Sequence, residues 1–541
     1  METLQLLPWY YIAASAALYV CLHRWILQAS LRGPKGWPIF GNFIEAFWNF
    51  RMGRIYDWAL EKMKLYYPTF RVKMFRNSFV LTVDPANIEH ILKTNISNYW
   101  KGETESTRFF DLLGYGILNS DGELWKRHRK VGSHEFASKI LRNYSTQTNK
   151  THALSIIGIL DLASRNEKPV NVADLMIRLT FEASCKLVFG LDMGFLDLSL
   201  PEAPFRKNFD AVSGGIGDRF IDPFWELKRF LCIGSERKLK EDIHSVNIYV
   251  DKLFQDRKAE IQSNKQQKKR DLLSRYIESL EKESFTNNPT KDIKDSVINF
   301  LLAGRDSSSV GLSWLIYAIS SCPRAEEKIV EELRRMEAEK RAMNLKGGAA
   351  EAAAAAAAEE LDRDAFDQFP EGEFKDFIRL LDYDTICNKL PYLRAAIHES
   401  LRLYPPVPVN YREIIKDDVF PACGTKVKAG ETILWSPYIL ARMEQVWGED
   451  CSEYKPERWL KDGVFQPETN FFKFNTFNGG ARLCLGKESV LLQATITIAA
   501  IYRFFSLKQM PGEKVRYEFG VTFQMPVEGF HATVHRRSLK C

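Results

Sequence analysis

The stretch "FNTFNGGARLCLGKE", Phe474–Glu488, decides how this chain is read. It sets Cys484, one of nine cysteines, among glycines, two residues after Arg482 and ahead of an apolar run with helical spacing. Cysteine acts as a ligand in its thiolate form, and a thiolate needs stabilising. A helix beginning near Leu485 would offer the sulfur free amide N–H groups and the positive end of its dipole. Gly480 and Gly486 permit tight turns and let backbone lie close to a flat ligand. Arg482 is placed to pair with a carboxylate on such a ligand.

The whole chain bounds what this loop could serve. Its 541 residues are enough for a large single-lobed enzyme or several domains. Apolar residues make up 45% and charged residues 27%, which is a globular composition. The 75 basic and 69 acidic residues leave only +6, too little over this length to point to nucleic acid. There is no repeat period, no phosphate-cradling glycine loop and no paired CxxC metal pattern. The cysteines stand at 21, 185, 232, 322, 387, 423, 451, 484 and 541. They are odd in number and far apart, so a reduced, cytosol-facing body is expected and not a secreted disulfide framework.

The N-terminus has a different character. Thr3 to His23 is a run of 21 residues without a formal charge, about the length a helix needs to cross a bilayer. Arg24, Arg32 and Lys35 follow it, which predicts a cytosolic body and a lumenal tip. A cleaved signal peptide would need a basic start and a shorter apolar core, and neither is present. Residues 1–29 are therefore expected to form a membrane anchor. "RGPKGWPIFGN" then breaks the helix and turns onto a body expected to span residues 30–541.

Along that body, "FRVKMFRNSFVLTVD" alternates as two paired strands with a turn at Arg76-Asn77. From about Pro85 to Arg335 apolar residues recur at three- and four-residue spacing, which predicts helices. The longest is expected from about Asp292 to Ser321, ahead of Pro323. Val419 to Leu440 reads as a small sheet region. "YEFGVTFQM" and "FHATVHRR" near the C-terminus read as strands. Residues 338–370, with "KGGAAEAAAAAAAEELDRD", are low-complexity and are expected to be a surface insertion.

Within the opening stretch, Phe477, Gly480, Arg482, Cys484 and Gly486 spell F-x-x-G-x-R-x-C-x-G. This resembles the haem-binding loop of the cytochrome P450 family. The resemblance implies a mainly α fold with small β-sheets, the cytochrome P450 fold, here preceded by a transmembrane helix. It also implies haem b (iron protoporphyrin IX), with Cys484 as the axial thiolate that favours O–O cleavage, an effect for which this family is the standard example.

Three further segments extend the resemblance. "ESLR" with "YKPERW" resembles the family's buried cluster of Glu399, Arg402 and Arg458. "WKRHR" places Trp125 and Arg129 four apart, positions that the resemblance assigns to a haem propionate, and Arg412 matches another such position by spacing. "AGRDSS" resembles the pattern A/G-G-x-D/E-T. Small residues at 303 and 304 would let the helix pass close over the haem. A hydroxyl bonded back to the carbonyl four residues earlier would bend it and open a groove. Asp306 and the hydroxyl would relay protons, the usual threonine being Ser307, which keeps the hydroxyl and lacks the methyl that fixes its rotamer.

"AGRDSSSVGLSW", "GILNSDGELWKRHRK", "WGEDCSEYKPERWL" and "FNGGARLCLGK" are most similar to the fatty-acid ω-hydroxylase and alkane hydroxylase group. The implied function is a monooxygenase that hydroxylates the terminal carbon of fatty acids. Phe300, Ala303, Val407 and Val409 are the candidate lining of an apolar channel. Alkanes, sterols and terpenoids are the other substrate classes. A haem-thiolate isomerase or dehydratase, or a membrane haem sensor, would have no use for the Asp306-Ser307 relay. The sequence carries no flavin or iron–sulfur motif, so electrons must come from a partner, which the resemblance names as NADPH-cytochrome P450 reductase. The basic run Lys126–Lys130 suits an acidic reductase surface. The expected location is the endoplasmic reticulum membrane, single-pass, with the catalytic domain in the cytosol.

Overall fold

The computed structural model of the chain describes residues 15, 19, 32–37, 39–75, 77–137, 139–263, 271–280, 286, 288–346, 372–526 and 528–538. The expected anchor, residues 1–29, lies outside them apart from isolated residues 15 and 19, as does the alanine-rich run 347–370. Among the described residues no helix is long and apolar enough to cross a membrane. The expected body falls into two compact units.

The first unit takes Met1–Gly102, Pro408–Ser452 and Asn470–Leu483. Its centre is a five-stranded sheet of β1 (Thr69–Met74), β2 (Asn77–Thr82), β3 (Tyr99–Trp100), β4 (Asn410–Ile414) and β5 (Thr432–Trp435), in the order β1-β2-β5-β4-β3. β1 and β2 form the expected hairpin, from Thr69↔Thr82 to Met74↔Asn77. Alternation buries Phe70 and Val72 on one strand. β2 then pairs in parallel with β5, and β4 returns antiparallel. Ile433 and Trp435 of β5 are fully buried, as a central strand requires. The Glu431 carboxylate ties the sheet by accepting from Arg71 at 3.0 Å and Ser78 at 2.7 Å. The segment after the expected anchor presses onto the edge of β1. Arg71 N donates to Arg32 O at 2.9 Å, and a Cβ on Gly33 would lie 2.2 Å from the Arg71 carbonyl oxygen.

The second unit takes Glu103–Val407, Glu453–Thr469 and Cys484–Cys541 and is mainly helical. The helices that carry the candidate residues are α1 (Gly122–Phe136), α2 (Val172–Phe189), α3 (Pro204–Asp218), α4 (Pro289–Ser320), α5 (Pro391–Leu403) and α6 (Lys487–Phe504). α4 is the long helix read from the sequence. Pro289 occupies its first turn, and the Asn288 side chain accepts from Lys291 N at 3.1 Å. Buried residues surround its axis, including Leu301, Ile316 and Ile319, so it runs through the core and not along a surface. α2 lies against it, and Phe181 joins Phe205 and Phe209 of α3 in the apolar cluster.

Two expectations change. "YEFGVTFQM" is not a strand. Glu518 and Gln524 form a single bridge, the Tyr517 ring stacks on Phe523 at 4.9 Å, and Trp314 donates to the Phe523 carbonyl at 2.8 Å. The strand partner of His531–Arg536 is instead Phe505–Gln509, which leaves directly from α6. The helix Pro323–Lys346 also runs through Ala338 without a break, held there by ion pairs of Glu337 with Arg503 and Lys340 with Asp382.

Candidate functional site

In the first unit the loop is shaped by its own packing. Trp435 donates to the Asn475 side-chain oxygen at 2.7 Å, and a 3-10 turn follows over Asn475–Phe477. Gly480 has φ +58, and a Cβ there would lie 2.3 Å from the Leu92 carbonyl oxygen. Its positive φ and missing side chain therefore serve a close approach to the Leu92 backbone. Phe477 and Arg482 are half-buried. Arg412 is buried on β4, donates to the Tyr411 carbonyl at 2.6 Å and lies 5.5 Å from the Trp435 ring centre. Val409 is half-buried beside it in sequence.

In the second unit Cys484 precedes α6, which starts at Lys487 and not at Leu485; Gly486 is its N-cap. The amides of Gly486 and Lys487 reach the sulfur, and the Arg129 and Lys487 charges favour the thiolate. Burial outweighs them and pushes the thiol pKa up, yet the side chain remains accessible. The Gly486 and Lys487 amides and the nearby cations thus favour the thiolate at an accessible sulfur, the form in which a cysteine can act as a metal ligand, against the burial that opposes it. A Cβ on Gly486 would make ordinary contact with that sulfur, at 4.0 Å.

Trp125 and Arg129 lie four apart on α1, both half-buried, while Lys126, Arg127 and Lys130 are exposed. Burial lowers the Arg129 pKa, and Cys484 opposes the shift. Gly132 seats α1 on the loop, since a Cβ there would lie 2.9 Å from Leu485 Cδ1. No local pattern in the sequence signals that contact.

On α4, Ala303 is exposed and Ser307 partly so, although Leu302, Asp306 and Ser308 beside them are buried. Ser307 donates to the Ala303 carbonyl at 2.7 Å, the expected back-bond across one turn. Three details depart from expectation. Gly304 faces α2, where a Cβ would lie 2.7 Å from Ser184 Oγ, so it serves helix packing. Phe300 is half-buried and packs between Phe136 and Tyr276 at the edge of the core, with ring centres 5.5 Å from each. Asp306 is buried and bonded to Arg305, which also pairs with Asp210 of α3. Val407 is half-buried.

Glu399, Arg402 and Arg458 assemble fully. Glu399 accepts from Arg402 Nε and Nη2 at 2.8 Å, Arg458 Nε at 3.3 Å, Trp459 Nε1 at 2.9 Å and Lys455 N at 3.1 Å. Every lone pair of a fully buried carboxylate thus has a donor, which is the condition for keeping such a charge in a core. Another group of metal-ligand types, His152, Glu182 and Asp192, also converges. Its two carboxylates have partners of their own, while His152 Nδ1 is buried without one. Glu182 accepts from Met193 N and Phe195 N, and Lys186 neutralises Asp192 at 2.7 Å.

Comparison with known proteins completes the picture. A family profile described as Cytochrome P450 matches residues 31–347 and 379–531. The chain is 41% identical over 539 residues to Cytochrome P450 704B1 of Arabidopsis thaliana, covering 97% of this chain and 99% of that protein. It is 35% identical over 518 residues to Cytochrome P450 86B1 of the same plant, covering 94% and 86%. It is 33% identical over 518 residues to noroxomaritidine synthase 2 of Narcissus pseudonarcissus, covering 94% and 92%. With family motifs, helical architecture and near full-length similarity in agreement, the chain belongs to the cytochrome P450 family of haem-iron monooxygenases.

Proposed function

We propose that this monooxygenase hydroxylates the terminal carbon of fatty acids, using haem b ligated by Cys484. The observation that carries the ligand assignment is the accessible Cys484 sulfur faced by the Gly486 and Lys487 amides. A soft thiolate suits iron, and the residues present fit the group. When bound, the haem supplies the activation of O₂ from which one oxygen atom enters a C–H bond.

The chain's own residues do the rest. In the second unit Arg129 is a cation suited to a haem carboxylate, with the Trp125 indole N–H as a further donor; in the first unit Arg412 and Arg482 are cations of the same kind. The Glu399 cluster keeps α5 and Arg458 in fixed register. Ser307 holds a hydroxyl on the accessible face of α4, and Asp306 stands next to it as the acid that donates protons. In the second unit Ala303 and Val407 offer apolar surface suited to keeping water from the reacting carbon.

The fatty-acid assignment rests on the four stretches most similar to the ω-hydroxylase group, among them "AGRDSSSVGLSW". A relative named for noroxomaritidine at 33% identity marks how far similarity alone reaches toward a substrate. A spectral titration with fatty acids of graded length, alkanes and sterols, followed by product analysis, tests it. A fatty-acid response with terminal hydroxylation supports the assignment, and a response confined to sterols or alkanes overturns it.

The location proposed is the endoplasmic reticulum membrane, through the apolar run Thr3–His23, with NADPH-cytochrome P450 reductase as electron donor. Each unit also exposes apolar surface suited to a membrane. The second has Phe224, Leu227, Phe230, Leu231 and Ile233 beside Lys228 and Arg229; the first has Trp37, Ile39, Phe40, Trp48 and Met52. Fractionation of the full chain and a chain lacking residues 1–29 tests the anchor, which predicts that the shorter chain no longer resists alkaline extraction from membranes.

A further inference from the structure

Asp306 and Ser307 are adjacent in sequence, yet α4 turns them onto different faces. Ser307 shares the accessible face with Ala303, and Asp306 is buried with Arg305. The Arg305 guanidinium is divided between two carboxylates, Asp306 beside it and Asp210 on α3. It is framed closely. The rings of Phe181 and Phe209 lie 5.3 and 5.4 Å from it, Ser213 Oγ is 3.5 Å from Nη1, and Nε is buried without a partner. The Arg305 backbone is also held, its carbonyl accepting from Thr180 Oγ1 at 3.2 Å. One fixed cation therefore faces two acids. Asp210 is the wetter of them, 37% exposed against 8% for Asp306.

This arrangement has a consequence for proton delivery. For Asp306 to reach the face that carries Ser307, it must leave Arg305. A buried guanidinium left with no counter-charge is strongly unfavourable. Asp210 removes that penalty, because Arg305 stays neutralised when Asp306 departs. We propose that Arg305 and Asp210 are positioning residues for Asp306, with Asp210 holding Arg305 while Asp306 turns toward Ser307. Asp306 leaves Arg305 as a carboxylate, takes a proton from solvent, gives it up at Ser307 and returns to Arg305 ionised, and Arg305 stays protonated throughout. The inference rests on Asp306 being the proton donor of the proposed function.

The test compares Asp210→Asn, Asp210→Glu, Arg305→Lys and Asp306→Asn in the full chain. Three quantities are read: product formed per NADPH consumed, the kinetic solvent isotope effect, and the carboxylate infrared bands of the substrate-free, haem-free protein. Asp210→Asn should lock Asp306 onto Arg305. Coupling should fall several-fold, the solvent isotope effect should grow, and the Asp306 band (identified by difference from Asp306→Asn) should shift, with substrate binding unchanged. Asp210→Glu keeps the charge and should restore all three, and Arg305→Lys should restore them in part. If Asp306→Asn changes coupling and Asp210→Asn changes none of the three, the inference fails and the donor assignment stands. If Asp306→Asn itself leaves coupling and isotope effect unchanged, the donor assignment fails and this inference with it.

Discussion

Glu399 and Arg402 face each other one turn apart on α5, joined by two hydrogen bonds of 2.8 Å, with side chains 0% and 1% exposed. Arg458 reaches the same carboxylate from the 3-10 turn Pro456–Trp459. Removing one member strands the others, which costs roughly 3–5 kcal/mol in a buried pair. Arg402→Leu is therefore expected to lower thermal stability strongly and to prevent haem uptake. Glu399→Gln, which keeps the shape, should lose somewhat less. Calorimetry and the haem-to-protein absorbance ratio check this, and near-native values for Arg402→Leu would contradict a structural role.

Ser307 keeps the back-bond to Ala303 but lacks the methyl that would fix its rotamer. Ser307→Thr should raise product formed per NADPH consumed and lower peroxide release. Ser307→Ala should lose the hydroxyl and reduce coupling by a factor of about 10 or more. Equal coupling in all three proteins would remove Ser307 from proton delivery.

Stability should depend on pH in two opposed ways. Burial pushes the pKa of His128 and of His398 down from 6.5 to about 4, so the fold favours the neutral rings. Below pH 6.5 the unfolded chain takes protons that the fold refuses, and stability falls until about pH 4, by up to about 3 kcal/mol for each histidine. Burial also pushes Glu332 up from 4.5 to about 7, although Tyr392 N and Leu393 N donate to its carboxylate at 2.7 and 2.9 Å. Its protonated form is favoured, so stability is lost as pH rises from 4.5 to about 7. Melting temperatures across this range should show His398→Gln flattening the acid limb and Glu332→Gln gaining most near pH 7. Identical profiles for wild type and both variants would contradict these shifts.

Lys126 and Arg127 are exposed on α1, next to the half-buried Trp125 and Arg129. Reversing both to Glu should slow reduction by NADPH-cytochrome P450 reductase, most at low ionic strength, while the haem spectrum stays intact. Stopped-flow reduction checks this, and unchanged kinetics would rule out this face as the docking surface.

Much of the second unit was legible because local rules and tertiary demands agree there. α4 shows its apolar faces and its stop before Pro323 in the sequence alone, although its Asn288 cap and Pro289 begin it nearly one turn ahead of the expected Asp292. The Cys484 loop was legible as a pattern of residue types at fixed spacing. Long-range geometry was not. The parallel pairing of β2 with β5 joins Phe79 to Thr432, and no short segment announces it. Gly304 against Ser184 and Gly480 against Leu92 are contacts between distant segments, so the glycines looked free to serve a ligand. Tyr517–Met525 alternates like a strand, but its ring stacking and the Trp314 hydrogen bond fold it as a turn. Asp306 showed its acid type but not which face of α4 it would take, because that depends on Arg305 and Asp210.

The most direct measurement is the carbon-monoxide difference spectrum of the reduced wild-type protein and of Cys484→Ser. The wild type should show the red-shifted band from which the family takes its name. Cys484→Ser should lose it while keeping its circular dichroism and its Glu399 cluster. A red-shifted band that persists in Cys484→Ser would mean that Cys484 is not the ligand and would contradict the account.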